Sequence, residues 1–203
     1  MSNCMIDGSP ESQLLVITVA PGREELQADR PLIGYDGKHL WKTLAKRAGI
    51  SRADCFIIST IGEWPEGVNG APTATQFYKY WDQFSEAIRS SKAKVALLLG
   101  GGSLWRFTGL TGIEDWRGYI IRSLDTVSLK RTITLNTVYK TSNSKTGRKK
   151  GDPKLEKHSV FELVNWPPET RIAIGTFDPG TVIHTGYKLA SPFAADIERV
   201  GRA

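Results

Sequence analysis

Three acidic residues stand at chain turns where a carboxylate can do chemistry. Glu24 and Glu25 follow the turn Ala20-Pro21-Gly22, and Asp178 directly precedes Pro179-Gly180. A carboxylate so placed can position or deprotonate water and stabilise a developing positive charge. Each also has a plainer reading: Glu24 and Glu25 as a solvated helix start favoured by the macrodipole, Asp178 as a turn residue after a strand. His184 lies six residues beyond Asp178. It can contact phosphate, serve as an acid, or be an ordinary surface histidine. Ser59 closes an apolar run and keeps a hydroxyl that can both donate and accept.

Phosphate chemistry has two candidate carriers. Gly100-Gly101-Gly102-Ser103 is a Gly-rich strand end, yet the Gly-Lys-Ser/Thr of a P-loop is absent and no dinucleotide fingerprint is matched. Between Lys140 and Lys157 stand Lys140, Lys145, Arg148, Lys149, Lys150, Lys154 and Lys157 against only Asp152 and Glu156. That segment reads as a mobile basic loop, either a solvated excursion or a set of phosphate contacts. Trp105-Arg106 and Trp116-Arg117 pair an aromatic with a guanidinium, a combination that can contact nucleic acid.

Composition narrows the classes. The 203 residues suffice for one domain with a substantial core. With 40% hydrophobic and 24% charged residues, neither wholesale disorder nor a fibrous repeat is indicated. No run approaches the ~20 apolar residues of a membrane span. Met1 to Glu11 has no apolar block, so a cytoplasmic protein without a signal peptide is expected. Cys4 and Cys55 alone exclude a disulfide framework and a four-thiolate site. The net charge of +6 permits a polyanionic partner without requiring one.

These residues need a scaffold, and the apolar pattern supplies one. Leu14 to Val19, Cys55 to Ile61 and Val95 to Leu99 are short, partly β-branched runs that read as buried strands. Leu40, Leu44 and Ala48 recur at helical spacing before Gly49, and Phe77, Tyr80, Trp81, Phe84 and Ile88 form a core-facing stripe over 73–91. Thr132 to Tyr139 and Arg171 to Phe177 read as further strands, Pro192 to Val200 as a closing helix. Alternating strands and helices predict a three-layer α/β/α fold around a central, mainly parallel four-stranded sheet. Ligands should collect at the carboxyl ends of its strands.

Taken in order, the segments resemble the iron–sulfur class of uracil-DNA glycosylases. Ala20-Pro21-Gly22-Arg23-Glu24-Glu25, Arg30-Pro31-Leu32-Ile33-Gly34, Gly37, Leu44 and Gly49-Ile50-Ser51-Arg52 follow G-E-A-P-G-x-x-E-D, R-P-F-V-G-x-x-G, L and G-x-x-R without a gap. Phe56 to Thr60 sits where the class has Y-I-T-N-V. Pro65, Asn69, Pro72 and Thr73 fit its P-x-x-x-N-x-x-P-T turn. Lys94 to Gly100, Arg117-Gly118, Thr176 to Gly180 and Asp196-Ile197 continue the series, covering most of 14–118 and 171–200. Residues 123–170 are unmatched and read as a basic insertion into a single domain spanning 1–203.

The resemblance implies a DNA partner and a base flipped into a pocket and expelled as an anion. It implies base contacts at Ala20, Pro21, Gly22, Leu32 and Ser59, and DNA contacts at Gly100, Gly101, Ser103, Gly180, His184, Lys145, Arg148, Lys149 and Lys150. Asp178 and Glu25 become the catalytic candidates, with no metal or other cofactor. The departures fall on functional positions. The central cluster cysteines are replaced by Glu63 and Tyr80, the carboxylate after the first strand by Val19, the base-reading asparagine by Ser59, the stacking aromatic by Leu32 and the histidine by Asp178. Where a histidine donates to the departing anion, an ionised Asp178 repels it. Protonating Asp178 at pH 7 needs a shift of about three units. The alternative is a role swap, in which ionised Asp178 activates water and stabilises the sugar cation. The expected function is therefore a divergent DNA glycosylase. A catalytically inactive DNA-binding relative, acting as a replication or repair accessory, is the alternative, and a nucleotide-handling α/β protein of merely similar architecture comes last.

Overall fold

The computed structural model describes residues 3–67, 70–122, 129–138, 149, 153–162 and 166–203. They fall into two compact units, 1–127 with 164–203, and 128–163. The larger unit runs β1 (Ile6–Asp7), β2 (Leu14–Thr18), α1 (Arg23–Ala28), α2 (Tyr35–Ala48), β3 (Cys55–Ser59), α3 (Ala74–Lys79), α4 (Trp81–Arg89), β4 (Val95–Leu99), α5 (Gly100–Thr108), α6 (Ile113–Trp116) and β5 (Ile120–Arg122). The smaller unit is an antiparallel pair, β6 (Leu129–Val138) and β7 (Pro153–Glu162), with Leu129 opposite Glu162. The larger unit then closes with β8 (Ile172–Thr176), α7 (Pro179–His184) and α8 (Ala190–Arg202).

Its sheet has the order β1-β3-β2-β4-β8-β5. The four inner strands are parallel, with Leu14 opposite both Cys55 and Val95, and Val95 opposite Ile172. The outer strands β1 and β5 run antiparallel to their neighbours. The expected four-stranded parallel core is thus present, extended to six strands by two edges too short to carry a periodic signal. Strand side chains alternate between two buried clusters: Leu15 and Ile17 pack with Phe84, Ile88 and Phe107, while Leu14 and Val16 pack with Leu40, Leu44, Phe193 and Ile197. Helices therefore cover both faces, the three-layer arrangement.

Two expectations need correction. The helix foreseen over 73–91 is two, α3 and α4, meeting at Tyr80 (φ −99°, ψ 10°). Thr73 caps α3 with a box in which its hydroxyl accepts from Gln76 N and the Gln76 side chain returns to Thr73 N. Nor is the basic stretch from Lys140 to Lys157 one loop: Lys154 and Lys157 lie in β7, opposite Thr137 and Thr134.

Because β2 lies between β3 and β4, crossovers leave it in opposite directions. Its carboxyl end is a topological switch point, the place where open α/β sheets gather ligands. No helix among the described residues is long and apolar enough to cross a membrane.

Candidate active site

A cavity of about 250 Å³ opens at the carboxyl ends of β2 and β8. The turn after β2 supplies Ala20, Pro21 and Gly22, the segment before α2 supplies Pro31, Leu32 and Gly34, the first turn of α2 supplies Tyr35 and Asp36, and the end of β8 supplies Asp178. This volume sits just below the range of about 300–1,000 Å³ usual for ligand pockets and suits one small ring system.

Asp178 stands at the N-cap of α7, its Oδ1 accepting from Gly180 N at 2.9 Å. Burial pushes its carboxyl up to about 6. Neighbouring Asp36 adds to the rise, while the backbone N–H groups of Gly180 and Thr181 and the nearby His184 oppose it. Asp36 is also raised, first by burial and then by Glu25 and Glu24, with His184 and His39 pulling the other way. Asp36 and Asp178 converge on Gly180: a Cβ there would lie 2.6 Å from Asp36 Oδ2 and 3.0 Å from Asp178 Oδ1. A side chain there would displace one of the two carboxylates. Gly100 (φ 84°) approaches from another direction, where an added Cβ would meet Asp178 Cβ at 3.2 Å.

Glu25 is buried, and its Oε1 accepts from Gly34 N at 2.8 Å. One carboxylate oxygen is thereby committed to tying α1 to the N-cap of α2. Leu32 forms the apolar wall at φ 54°, a left-handed conformation that a branched side chain adopts only under constraint. The constraint is visible: the Leu32 carbonyl accepts from Trp41 Nε1 and Arg52 Nη1, each at 2.8 Å. The rim is aromatic. Tyr35 and Tyr187 share a hydroxyl hydrogen bond of 3.1 Å, and Arg23 lies 5.5 Å over Trp64.

Of the residues foreseen from sequence, the structure brings together Ala20, Pro21, Gly22, Glu25, Leu32 and Asp178 around this cavity. His184 is exposed nearby, close enough to act electrostatically on Asp178. Ser59 lies elsewhere. It is fully buried, and its hydroxyl accepts from Met5 N at 2.8 Å, so it faces β1 rather than the cavity. Ser103 is likewise buried, donating to Leu99 O at 2.9 Å within its own chain turn, which leaves no hydroxyl for DNA. Gly100 and Gly180 are buried and Gly101 is exposed. Lys149 is exposed, while Lys145, Arg148, Lys150 and Asn69 lie outside the described residues.

Val19 packs over Gly102, whose added Cβ would be 2.9 Å from Val19 Cγ1, so apolar packing occupies the position of the class carboxylate. Neither foreseen arginine pair offers a guanidinium to nucleic acid. Arg106 is buried, stacked 3.6 Å over Trp81 and donating to Trp81 O, and Arg117 forks onto Asp196 at 2.9 and 3.0 Å. Sequence reading missed Asp36 and Tyr35. Asp36 sits in the first turn of α2, where acids are favoured for helix stability alone, so nothing local sets it apart.

The residues at the cluster positions do not fit an iron–sulfur cluster. Glu63 is engaged by Lys79 Nζ and by Gln76 Nε2, Tyr80 is part of the core, and Cys4 is a buried thiol that burial pushes up to about 12. Cluster ligation needs several thiolates, and Cys4 Sγ instead faces the carbonyls of Thr60 and Tyr80.

The family model described as the uracil DNA glycosylase superfamily matches residues 5–164. No curated protein matches the chain. That match spans most of the chain, including β2, the turn after it, β3 and β4, and agrees with the α/β architecture. The chain therefore belongs to the uracil DNA glycosylase superfamily.

Proposed function

We propose that the protein is a divergent DNA glycosylase that binds DNA, takes one flipped base into the cavity beneath Asp178, and hydrolyses its N-glycosidic bond with water. The observation that carries this reading is the cavity itself, base-sized, at the switch point of the sheet, and bounded by both the Ala20-Pro21-Gly22 turn and a carboxylate of raised pKa.

A group titrating at about 6 is ionised about ten to one at pH 7. This supports the role swap, in which ionised Asp178 takes the proton of the attacking water and stabilises the positive sugar. Glu25, with one oxygen held by Gly34 N, acts as a positioning residue. Leu32 and Pro21 form the walls against which the base lies. Residues 123–170 are read as an insertion into one domain, for which the compact unit of 128–163 is the support. Lys145, Arg148, Lys149 and Lys150 there, with His184 and Gly101, supply phosphate contacts. Two buried free thiols suit a reducing, cytoplasmic setting.

The test is incubation with single-stranded and duplex oligonucleotides bearing a panel of bases, scored for abasic sites. Asp178→Asn is expected to cost at least about 100-fold, and full activity in that variant overturns the role swap. Neutralising the four basic residues should weaken binding and flatten its salt slope. A second reading, a non-catalytic DNA-binding relative, is favoured by Val19 filling the class carboxylate position. Binding without excision of any base selects it.

A further inference from the structure

The cavity offers acceptors to whatever enters it. Glu24, Glu25, Asp36 and Asp178 line it with carboxylates, and the one cationic side chain in the lining, Arg23, is exposed and lies over Trp64. Asp36 and Asp178 converge on one point beside Gly180. An ionised carboxylate accepts hydrogen bonds and donates none.

Uracil fits such a lining poorly. It presents two carbonyl oxygens and a single N–H, and it departs as an anion. The hydroxyls of the lining are those of Thr18 and of Tyr35, the latter shared with Tyr187, and the hydroxyl of Ser59 is bound to Met5 N away from the cavity, so carboxylates outnumber the groups that could donate to a uracil carbonyl. A base with an exocyclic amino group and a basic ring nitrogen fits well. Its N–H groups donate to the carboxylates, and negative charge around the ring nitrogen favours its protonation.

Resting on the glycosylase reading above, we infer that the substrate is an amino-bearing, protonatable base, cytosine-like or adenine-like, recognised by Asp36 while Asp178 serves the attacking water. With the ring nitrogen protonated, the bond from C1′ to the base breaks and its electron pair goes to the base, which departs neutral. The water oxygen bonds to C1′, and the water proton passes to Asp178. No anion forms beside the carboxylates, so the repulsion that Asp178 imposes on departing uracil is removed. Asp36 is the specificity residue of this scheme and faces the same base.

The test uses the full chain and single-stranded thymine oligonucleotides carrying one cytosine, adenine, uracil or hypoxanthine, scored for abasic sites. Cytosine or adenine should be released at least about tenfold faster than uracil. Asp36→Asn, which adds a donor at nearly constant volume, should narrow or reverse that ratio instead of slowing all bases alike. Release of uracil or hypoxanthine at an equal or greater rate overturns the inference and leaves the glycosylase reading intact. If nothing is released, fluorescence anisotropy on the same strands decides: tighter binding of the cytosine or adenine strand, abolished by Asp36→Asn, supports the inference, and equal binding overturns it. Failure to bind any strand at low salt removes the glycosylase reading and the inference together.

Discussion

Arg52 Nη1 lies 2.8 Å from the carbonyl oxygen of Leu32, the residue whose backbone is left-handed at the cavity wall. The same guanidinium donates to Pro31 O at 2.6 Å and pairs with Asp7 at 2.6 Å. A left-handed leucine costs about 1–2 kcal/mol, so the wall keeps its shape only while it is gripped. Arg52→Ala should lower stability by about 2–3 kcal/mol, the worth of charge-assisted bonds to buried carbonyls. Arg52→Lys should recover little, because a lysine cannot fork. Urea unfolding of both variants measures this, and a loss under about 0.5 kcal/mol would show that Leu32 holds its conformation unaided.

Asp178 links function to pH. In the unfolded chain it titrates near 3.9, whereas the folded protein holds it up to about 6. Between those values the folded state binds the extra proton. Its contribution to stability is therefore fully present below about pH 4 and is lost as pH rises towards 6. Asp36 acts in the same direction, while Asp7, held low by Arg52 and Arg30 against its burial, acts in the opposite one. Comparison with Asp178→Asn isolates the group, since asparagine caps a helix as well as aspartate does. The variant should gain about 1–2 kcal/mol over the parent at pH 7 and nothing at pH 4. A difference that stays constant across this range contradicts the raised carboxyl.

The rate should show the same group. With a base that needs no ring protonation, such as uracil, excision by the parent protein is expected to increase through about pH 6 as Asp178 ionises, whereas with a protonatable base the loss of the ring proton offsets that rise. Single-turnover rates between pH 5 and 8 measure it, and a rate that falls over the acidic half of that range assigns Asp178 the acid role instead.

Ser59→Ala separates packing from recognition. Its hydroxyl satisfies the backbone N–H of Met5 in a fully buried position, and leaving that donor unpaired should cost about 1–3 kcal/mol. Base preference should not change. A shifted preference would place Ser59 in contact with the substrate.

Asp196 ties α8 to the end of β8 and to the segment after α6. It accepts the fork from Arg117 and a bond of 2.9 Å from Thr176 Oγ1. Arg117→Ala removes the forked cation from a buried carboxylate, leaving it the influence of Arg199 alone, and should lower stability by about 3 kcal/mol. Arg117→Ala together with Asp196→Asn should recover part of that loss, which a double-mutant cycle reads directly.

Much of the scaffold was legible because its signals are local. Leu14–Thr18, Cys55–Ser59, Val95–Leu99 and Ile172–Thr176 are continuous apolar runs, as inner strands covered on both faces must be. β7 was hidden by Pro153, Lys154, Glu156 and Lys157, whose charges read as loop. β1 and β5 hold two and three residues, below any periodic test. The cavity was half legible. The Ala20-Pro21-Gly22 turn and Asp178 announce themselves by motif, but Asp36 reaches Asp178 across 142 positions of chain, and no spacing rule joins them. Ser59 misled for the reverse reason. Its place at a strand end suggested a free hydroxyl, and only the pairing of β1 beside β3 shows that it is consumed.

Those short outer strands have a consequence for how the molecule behaves in company. A sheet whose parallel centre is rich in valine, leucine and isoleucine would, if cut at β3 or β8, present a long row of unpaired amides to any other copy. β1 and β5 cover those borders with pieces too brief to template another chain. Refolding at high concentration should therefore stay free of fibrils, and loss of either sliver would turn the most regular part of the fold into its most adhesive surface.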